Sequence, residues 1–178
     1  MTTAHVFIAT SLDGYIARPD GDIDWLLARD APGEDHGYEA FIADKDAIVM
    51  GRGSYEKVLT FPRWPYDRPV LVLSRQLAGT PAPAALAGKV RFANLEPAAA
   101  LHALAQQGVR RVYVDGGRVV QAFLREGLVE DMVITTVPVL IGAGRPLFGA
   151  LAGDVGLALV ASRSFPSGLV QSTYRVLR

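Results

Sequence analysis

Cysteine is absent from this sequence of 178 residues, which excludes disulfides and thiol chemistry and leaves the compartment open. Charge of either sign is not in excess: 18 basic residues balance 18 acidic ones. No pull toward nucleic acid or an anionic membrane surface is therefore expected. No apolar run approaches the ~18 residues needed to span a bilayer. The opening MTTAHVFIATSLDG is too polar for a signal peptide. A soluble cytoplasmic protein is the expectation. Lysine is scarce as well. Of the basic residues, 15 are arginine, the better fork for phosphate or carboxylate. No repeat and no low-complexity linker appears, and 178 residues suit one domain, 1–178, that buries roughly 70% of its unfolded surface.

What is present is a series of short β-branched or apolar runs: HVFIAT (5–10), DAIVMG (46–51), PVLVLS (69–74), KVRFA (89–93), RVYVD (111–115) and MVITTVPVLI (132–141). Their apolarity is nearly continuous, as in central strands covered on both faces. Helical patterns lie between them. Asn94 is placed to cap a helix with Leu95, Ala98, Leu101, Leu104 and Ala105 on its apolar side and Gly108 as its stop. A second helix carries Val119, Val120, Phe123 and Leu124 and stops at Gly127. Alternating β and α elements predict an α/β three-layer sandwich around a mixed, mostly parallel sheet. GLALVAS (156–162) and LVQSTYRVL (169–177) flank Phe165-Pro166-Ser167-Gly168, a turn with Pro second and Gly fourth. They predict a closing antiparallel hairpin and about eight strands in all.

Between the strand 111–115 and the second helix stands Asp115-Gly116-Gly117-Arg118. A helix N-terminus offers unpaired N–H groups and the positive end of its dipole, and glycine lets backbone approach an anion. The segment suits a pyrophosphate cradle, although two glycines also suit a plain strand-to-helix turn. It lacks the G-x-G-x-x-G pattern of a Rossmann fold. Two further strand ends carry similar chemistry. IVMGRGSYEKV (48–58) leaves through Gly51-Arg52-Gly53-Ser54, with Ser54 a potential helix cap, and LVLSR (71–75) ends in Ser74-Arg75. Arginines and hydroxyls on neighbouring strand ends are placed to clamp one phosphate.

The ordered set SLDGYIARPDGDIDWL, IVMGRGSYE, RPVLVLSR and VYVDGGRVVQAFL resembles the dihydrofolate reductase superfamily from about residue 5 to 177. PVLIGAGRPLF (138–148) is similar to the branch containing the reductase domain of the riboflavin-pathway deaminase–reductase. The resemblance implies NADPH as cofactor. Gly51, Arg52 and Ser54 match the segment that meets the pyrophosphate and the adenosine 2′-phosphate. Ser74 and Arg75 match the strand end that completes the 2′-phosphate pocket, and Gly116, Gly117, Arg118 and Val119 match the glycine pair and helix start over the diphosphate. Ala9 and Ala17 match positions lining the nicotinamide pocket.

The reacting end is less determined. Asp35, near a helix start, and Asp13, in the loop after the first strand, are the candidate catalytic carboxylates. Either also suits a structural role, in a helix first turn or before Gly14. Trp25 and Tyr55, with Phe61, Trp64 and Tyr66 nearby, are candidates to hold a flat heterocycle, and Arg68 matches an arginine that binds the folate carboxylate. Core packing explains such aromatics equally well. The Asp-Asp-Pro pattern of the riboflavin-pathway reductases is missing from GRGSYEKVLTFPRWP, and no H-x-E…P-C-x-x-C zinc signature or other metal site is present. The implied activity is NADPH-dependent reduction of a pyrimidine- or pterin-like small molecule. The nearest named reaction is that of 5-amino-6-(5-phosphoribosylamino)uracil reductase. Dihydrofolate reduction is the rival activity, and NADPH binding without turnover the rival class. The resemblance also implies a homodimer through PVLIGAGRPLF and the last strand.

Overall fold

The computed structural model describes residues 1–29 and 31–178. Six of its strands run parallel: β1 (Thr3–Ser11), β3 (Ala47–Gly51), β4 (Val70–Leu73), β5 (Val90–Ala93), β6 (Arg111–Asp115) and β7 (Val129–Val137). Two more, β9 (Leu157–Ser164) and β10 (Val170–Val176), complete an eight-stranded sheet of order β5-β4-β3-β6-β1-β7-β10-β9. β10 lies antiparallel to both of its neighbours. The turn between β9 and β10 closes with Gly168 N–H donating to the Phe165 carbonyl at 2.9 Å, with Gly168 at φ +87°. This is the mixed, mostly parallel sheet with a terminal hairpin that the pattern of runs predicts.

Helices cover both faces. On one, α4 (Pro97–Ala105) and α5 (Gly117–Arg125) close over Val6, Val49, Val112, Val114 and Met132. The buried stripe of α5 is Val119, Val120, Phe123 and Leu124, as its spacing predicts. On the other, α2 (Tyr38–Ile42), α3 (Arg52–Val58) and a 3-10 turn at Ala84–Leu86 pack over Ile48, Met50, Val70, Val72 and Tyr113. A short α1 (Asp24–Leu27) adds Trp25 to a small third cluster with Val137 and Leu169. The remaining strands, β2 (Tyr15–Ala17) and β8 (Arg145–Pro146), pair antiparallel as a strap beside the main sheet.

Three local expectations are corrected. Asn94 does not cap α4. The helix begins at Pro97, whose fixed φ and missing N–H suit a first helical position, and its buried stripe is Pro97, Ala100, Leu101 and Leu104. Ser54 does not cap α3; Gly51 occupies that position and Ser54 falls inside the first turn. The run 132–141 is not all strand, because Pro138 has no N–H to give the ladder and β7 stops before it.

Candidate active site

Parallel strands put their carboxyl ends on one edge, and here the ends are nearly flush. Gly51 pairs with Leu73, Leu73 with Ala93, and Met50 with Asp115. Gly51-Arg52-Gly53-Ser54, Ser74-Arg75 and Gly116-Gly117-Arg118 therefore leave the sheet at neighbouring points on the same edge. β1 pairs with β6 only from Thr3 to Val6 and then runs on to Ser11 beside β7. At ~3.3 Å per residue, Ile8–Ser11 overhangs the tip of β6 by about 13 Å, and this leaves a notch flanked by Ala9 on one side and the start of α5 on the other.

The paired glycines have separate causes, and both lie in the protein itself. Gly116 sits at φ 92°, ψ 136°, and a Cβ there would lie 2.5 Å from Ser54 Oγ. Gly117 has an ordinary φ, but its Cβ would lie 2.5 Å from the Pro146 carbonyl oxygen and 3.2 Å from Ile16 Cδ1. One glycine lets α3 reach the tip of β6, and the other lets the strap close on the start of α5. On this geometry the pair is fully accounted for by packing, and the anion reading rests on what surrounds it. Those surroundings are the free N–H groups at the start of α5, the hydroxyls of Ser54 and Ser74, and the arginines. Val119, one turn further, is buried with its Cγ2 3.2 Å from where a Cβ on Gly51 would stand.

The arginines differ in readiness. Arg52 is exposed and paired with Glu56 at 2.6 Å, one helical turn away. Arg75 and Arg118 are exposed and engage no ion pair among the described residues. Ser74 Oγ accepts the Leu77 N–H at 3.3 Å and holds its lone pair toward its own turn. Arg145, from the strap, lies over Gly21 and Gly53, where either Cβ would approach its guanidinium to 3.0 Å. It donates to the Pro19 carbonyl at 3.4 Å, so it ties the loop after β2 to the first turn of α3.

Both candidate carboxylates are engaged in hydrogen bonds to neighbouring loop groups. Asp13 accepts from Ser11 Oγ at 2.5 Å, from the Gly142 N–H at 2.7 Å and from the Ile141 N–H at 3.1 Å. The Ser11 hydroxyl, above all, holds its pKa below the ordinary carboxylate value. Asp13 thus fastens the loop after β1 to the segment 139–142, beside the strap. Asp35 is exposed, and its carboxylate accepts the Gly37 N–H at 2.7 Å in a local turn. Its neighbour Glu34 is the inward-facing acid, but it accepts from Ser167 N at 2.7 Å and from Ser167 Oγ at 2.5 Å, which lowers its pKa and pins this loop to the β9–β10 turn.

A different carboxyl lies in the notch. Asp115, at the tip of β6, is surrounded by Ser54, Tyr113, Tyr38 and Tyr66. Burial is the leading influence on it and pushes its pKa up, while the Ser54 hydroxyl, the Gly116 N–H and the Tyr113 phenol favour the anion. Burial likewise raises Tyr38 to about 12. An acid whose pKa is raised can hold a proton at higher pH than a surface carboxylate.

The residues from Thr3 to Gln171 match the model of the RibD C-terminal domain family. The chain belongs to this family. It is 36% identical to the uncharacterized protein YwjB of Bacillus subtilis (strain 168) over 164 residues, covering 90% of each chain. Among solved structures, the "Putative riboflavin biosynthesis protein" of Shewanella sp. PV-4 is 39% identical, with a TM-score of 0.92 over 99% of this chain and 100% of the other. The dihydrofolate reductase of Enterococcus faecalis, solved with NADP(H), is 16% identical. Its TM-score of 0.67, over 99% of this chain and 97% of the other, shows that the fold is dihydrofolate reductase-like.

In this RibD C-terminal domain the three residues predicted to hold substrate are dispersed. Tyr55 is 4% exposed, its ring standing 5.2 Å from Phe92 and 6.2 Å from Trp64 in the core. Trp25 is 5% exposed in the third cluster, and its indole N–H meets no partner among the described residues. Arg68 lies at the opposite end of β4 from Ser74-Arg75 and donates to the Ala43 carbonyl at 3.1 Å. A hollow of about 320 Å³ lined by Ala47, Pro69, Leu71 and Leu104 opens at that same far edge, remote from the strand tips. Ala17 is buried in the strap, with its carbonyl against Gly144, and Ala9 lies on the overhang of β1. Asp115 was present in the sequence as an acid ending an apolar strand, directly before two glycines; the turn-forming habit of Asp-Gly masks such a residue.

Proposed function

We propose that this chain is an NADPH-dependent reductase acting on a substrate that carries a pyrimidine- or pterin-like heterocycle, the nearest named activity being 5-amino-6-(5-phosphoribosylamino)uracil reductase. One observation carries the reading: three strand tips bearing arginines, hydroxyls and the start of α5 converge on a single edge beside the overhang of β1. The residues fit the cofactor. The N–H groups at the start of α5, Ser54 and Arg118 suit a diphosphate, while Arg52, Ser74 and Arg75 suit a 2′-phosphate. Ala9 and Ala17 leave room for a flat ring beside β1. Bound NADPH supplies hydride to the carbon of a C=N bond, whose nitrogen then needs a proton.

We assign that proton to Asp115. Its raised pKa keeps a larger protonated fraction near neutrality than Asp13 or Glu34 retain. Ser54 and Tyr113 stand beside it. The last strand, β10, is paired on both sides by β7 and β9 and offers no free edge, so the homodimer is proposed to form through β9 instead. This edge strand presents unpaired backbone groups and leaves Leu157, Leu159 and Val160 41%, 61% and 54% exposed.

The test is ligand-induced thermal stabilisation by NADPH and NADH. NADPH should stabilise more. Arg75→Ala and Arg52→Ala should each weaken NADPH by about ten- to a hundred-fold, from the worth of one charged hydrogen bond, and leave NADH nearly unchanged. Arg75, free of Glu56, should lose more. Equal losses for both cofactors would remove the 2′-phosphate contacts from this reading.

A further inference from the structure

The strap brings one more cation to the edge where the strand tips meet. Arg145, on β8, pairs through its backbone with Ala17, and its side chain crosses from the strap to the first turn of α3. Two glycines bracket the guanidinium. A Cβ on Gly53 would lie 3.0 Å from Nη1, and a Cβ on Gly21 would lie 3.0 Å from Nη2 and 3.1 Å from Cζ. Gly21 has φ +95°, a conformation that favours glycine on its own account. Gly53 has no such reason, because it stands in a helical turn, where glycine is a poor former. What its missing side chain provides is the space that the guanidinium occupies.

Three contacts close a ring around this point: Arg145 on Gly53, Ser54 Oγ on Gly116, and the Pro146 carbonyl on Gly117. The members are consecutive in pairs, 53–54, 116–117 and 145–146, so the guanidinium shares one small patch with the start of α5. Ser74-Arg75, at the tip of β4, lie across β3 from that patch. The charge of Arg145 is not neutralised. It joins no ion pair among the described residues, whereas Arg18, Arg52 and Lys57 nearby hold Asp24, Glu56 and Asp22. Its Nε and Nη2 both face one neutral oxygen, the Pro19 carbonyl, at 3.4 Å each. That is longer than the usual range of about 2.7–3.2 Å. Nη1 donates to nothing among the described residues. A planar fork with open donors, already held in position, is suited to phosphate oxygens.

Building on the reductase reading above, we propose that Arg145 binds the diphosphate of the dinucleotide, as the strap's contribution to a site otherwise made by strand tips and α5. The diphosphate is common to NADPH and NADH. Arg145 therefore raises affinity for both and leaves the choice between them to Arg52, Ser74 and Arg75. Gly21 and Gly53 keep the fork in place, and the carbonyl contact that it gives up is weak.

Calorimetric titration of wild type, Arg145→Met and Arg145→Lys with NADPH, NADH and adenosine 2′-monophosphate tests this. Methionine keeps the bulk of the stem without the charge. It should weaken NADPH and NADH alike, by about ten- to a hundred-fold for a lost charge-assisted contact, and leave their ratio unchanged. Lysine keeps the charge without the fork and should lose at least about threefold for both. Adenosine 2′-monophosphate has no diphosphate and should bind all three proteins equally, which separates a phosphate contact from a displaced strap. Unchanged affinity for both dinucleotides in Arg145→Met, or in Arg145→Lys where the first does not fold, overturns the proposal. A loss confined to NADPH also overturns it, since the guanidinium then serves the 2′-phosphate. An equal loss for adenosine 2′-monophosphate does so too, because it marks Arg145 as a structural tie. If the wild type binds neither dinucleotide, the reductase reading falls and takes this inference with it. If the wild type binds both and the variants match it, the cofactor site stands without Arg145.

Discussion

Replacing Gly116 with alanine separates backbone strain from side-chain overlap at the centre of the site. Gly116 holds φ 92°, ψ 136°, a conformation that costs a residue with a Cβ about 1–3 kcal/mol. The new Cβ would also lie 2.5 Å from Ser54 Oγ and 3.8 Å from the Gly51 nitrogen. The hydroxyl must swing away from the new methyl group, an overlap that costs about 1 kcal/mol, the low end for overpacking. The expected loss is about 2–4 kcal/mol. For a chain of this size each kcal/mol moves Tm by about 2–4 °C, so thermal denaturation should show a fall of roughly 4–16 °C. Ser54→Ala in the same chain relieves the overlap and leaves the strain. The double variant should therefore keep a deficit of about 1–3 kcal/mol relative to Ser54→Ala alone. If Gly116→Ala costs nothing in the Ser54→Ala background, backbone conformation is not why this position is glycine.

Asp115→Asn should cut the reduction rate by about 10²–10⁴-fold while preserving NADPH affinity, as measured by single-turnover kinetics beside a binding titration. Its stability effect has a definite sign. A native pKa raised above the unfolded value means that the folded state holds more protons, so wild-type stability falls as pH rises through the ordinary carboxylate range and up to the native pKa. The Asn variant should therefore gain Tm over wild type at neutral pH and lose that gain in acid. Asp13→Asn should behave in the opposite way. Its native pKa is lowered, so the wild-type advantage is present at neutral pH and disappears as pH falls below the ordinary Asp value, followed by Tm between pH 3 and 7. Leu159→Arg, on the exposed edge strand, should convert a dimer to monomer in light scattering without lowering helix content; an unchanged mass would move the interface elsewhere.

The sheet was legible because each central strand is a short, almost unbroken apolar run, and the run of β6 leads into the 119, 120, 123, 124 stripe of α5. The convergence of the edge proposed for the cofactor was legible for a related reason. Parallel strands linked by helices must deliver their carboxyl ends to one side, so Gly51, Ser74 and Gly116 were bound to meet once the strands were recognised. Element ends were less legible. Pro97 rather than Asn94 starts α4, and Pro138 stops β7 inside a run whose composition continues to read as strand. The reacting end was least legible. Asp13, Asp35 and Asp115 are all acids next to or near glycine in the sequence, and only their surroundings separate them.

By itself, then, the sequence determined the alternation of elements, the hairpin at the end and the chemistry gathered at three strand tips. These follow from periodicity and from turn residues, which act over a few positions. The tertiary structure decided which carboxyl is desolvated and which arginines are already paired. It also decided that Gly117 answers to the carbonyl of Pro146, 29 positions away. Such properties depend on the dielectric, the neighbours and the free volume around a group, and residues distant in the chain supply all three.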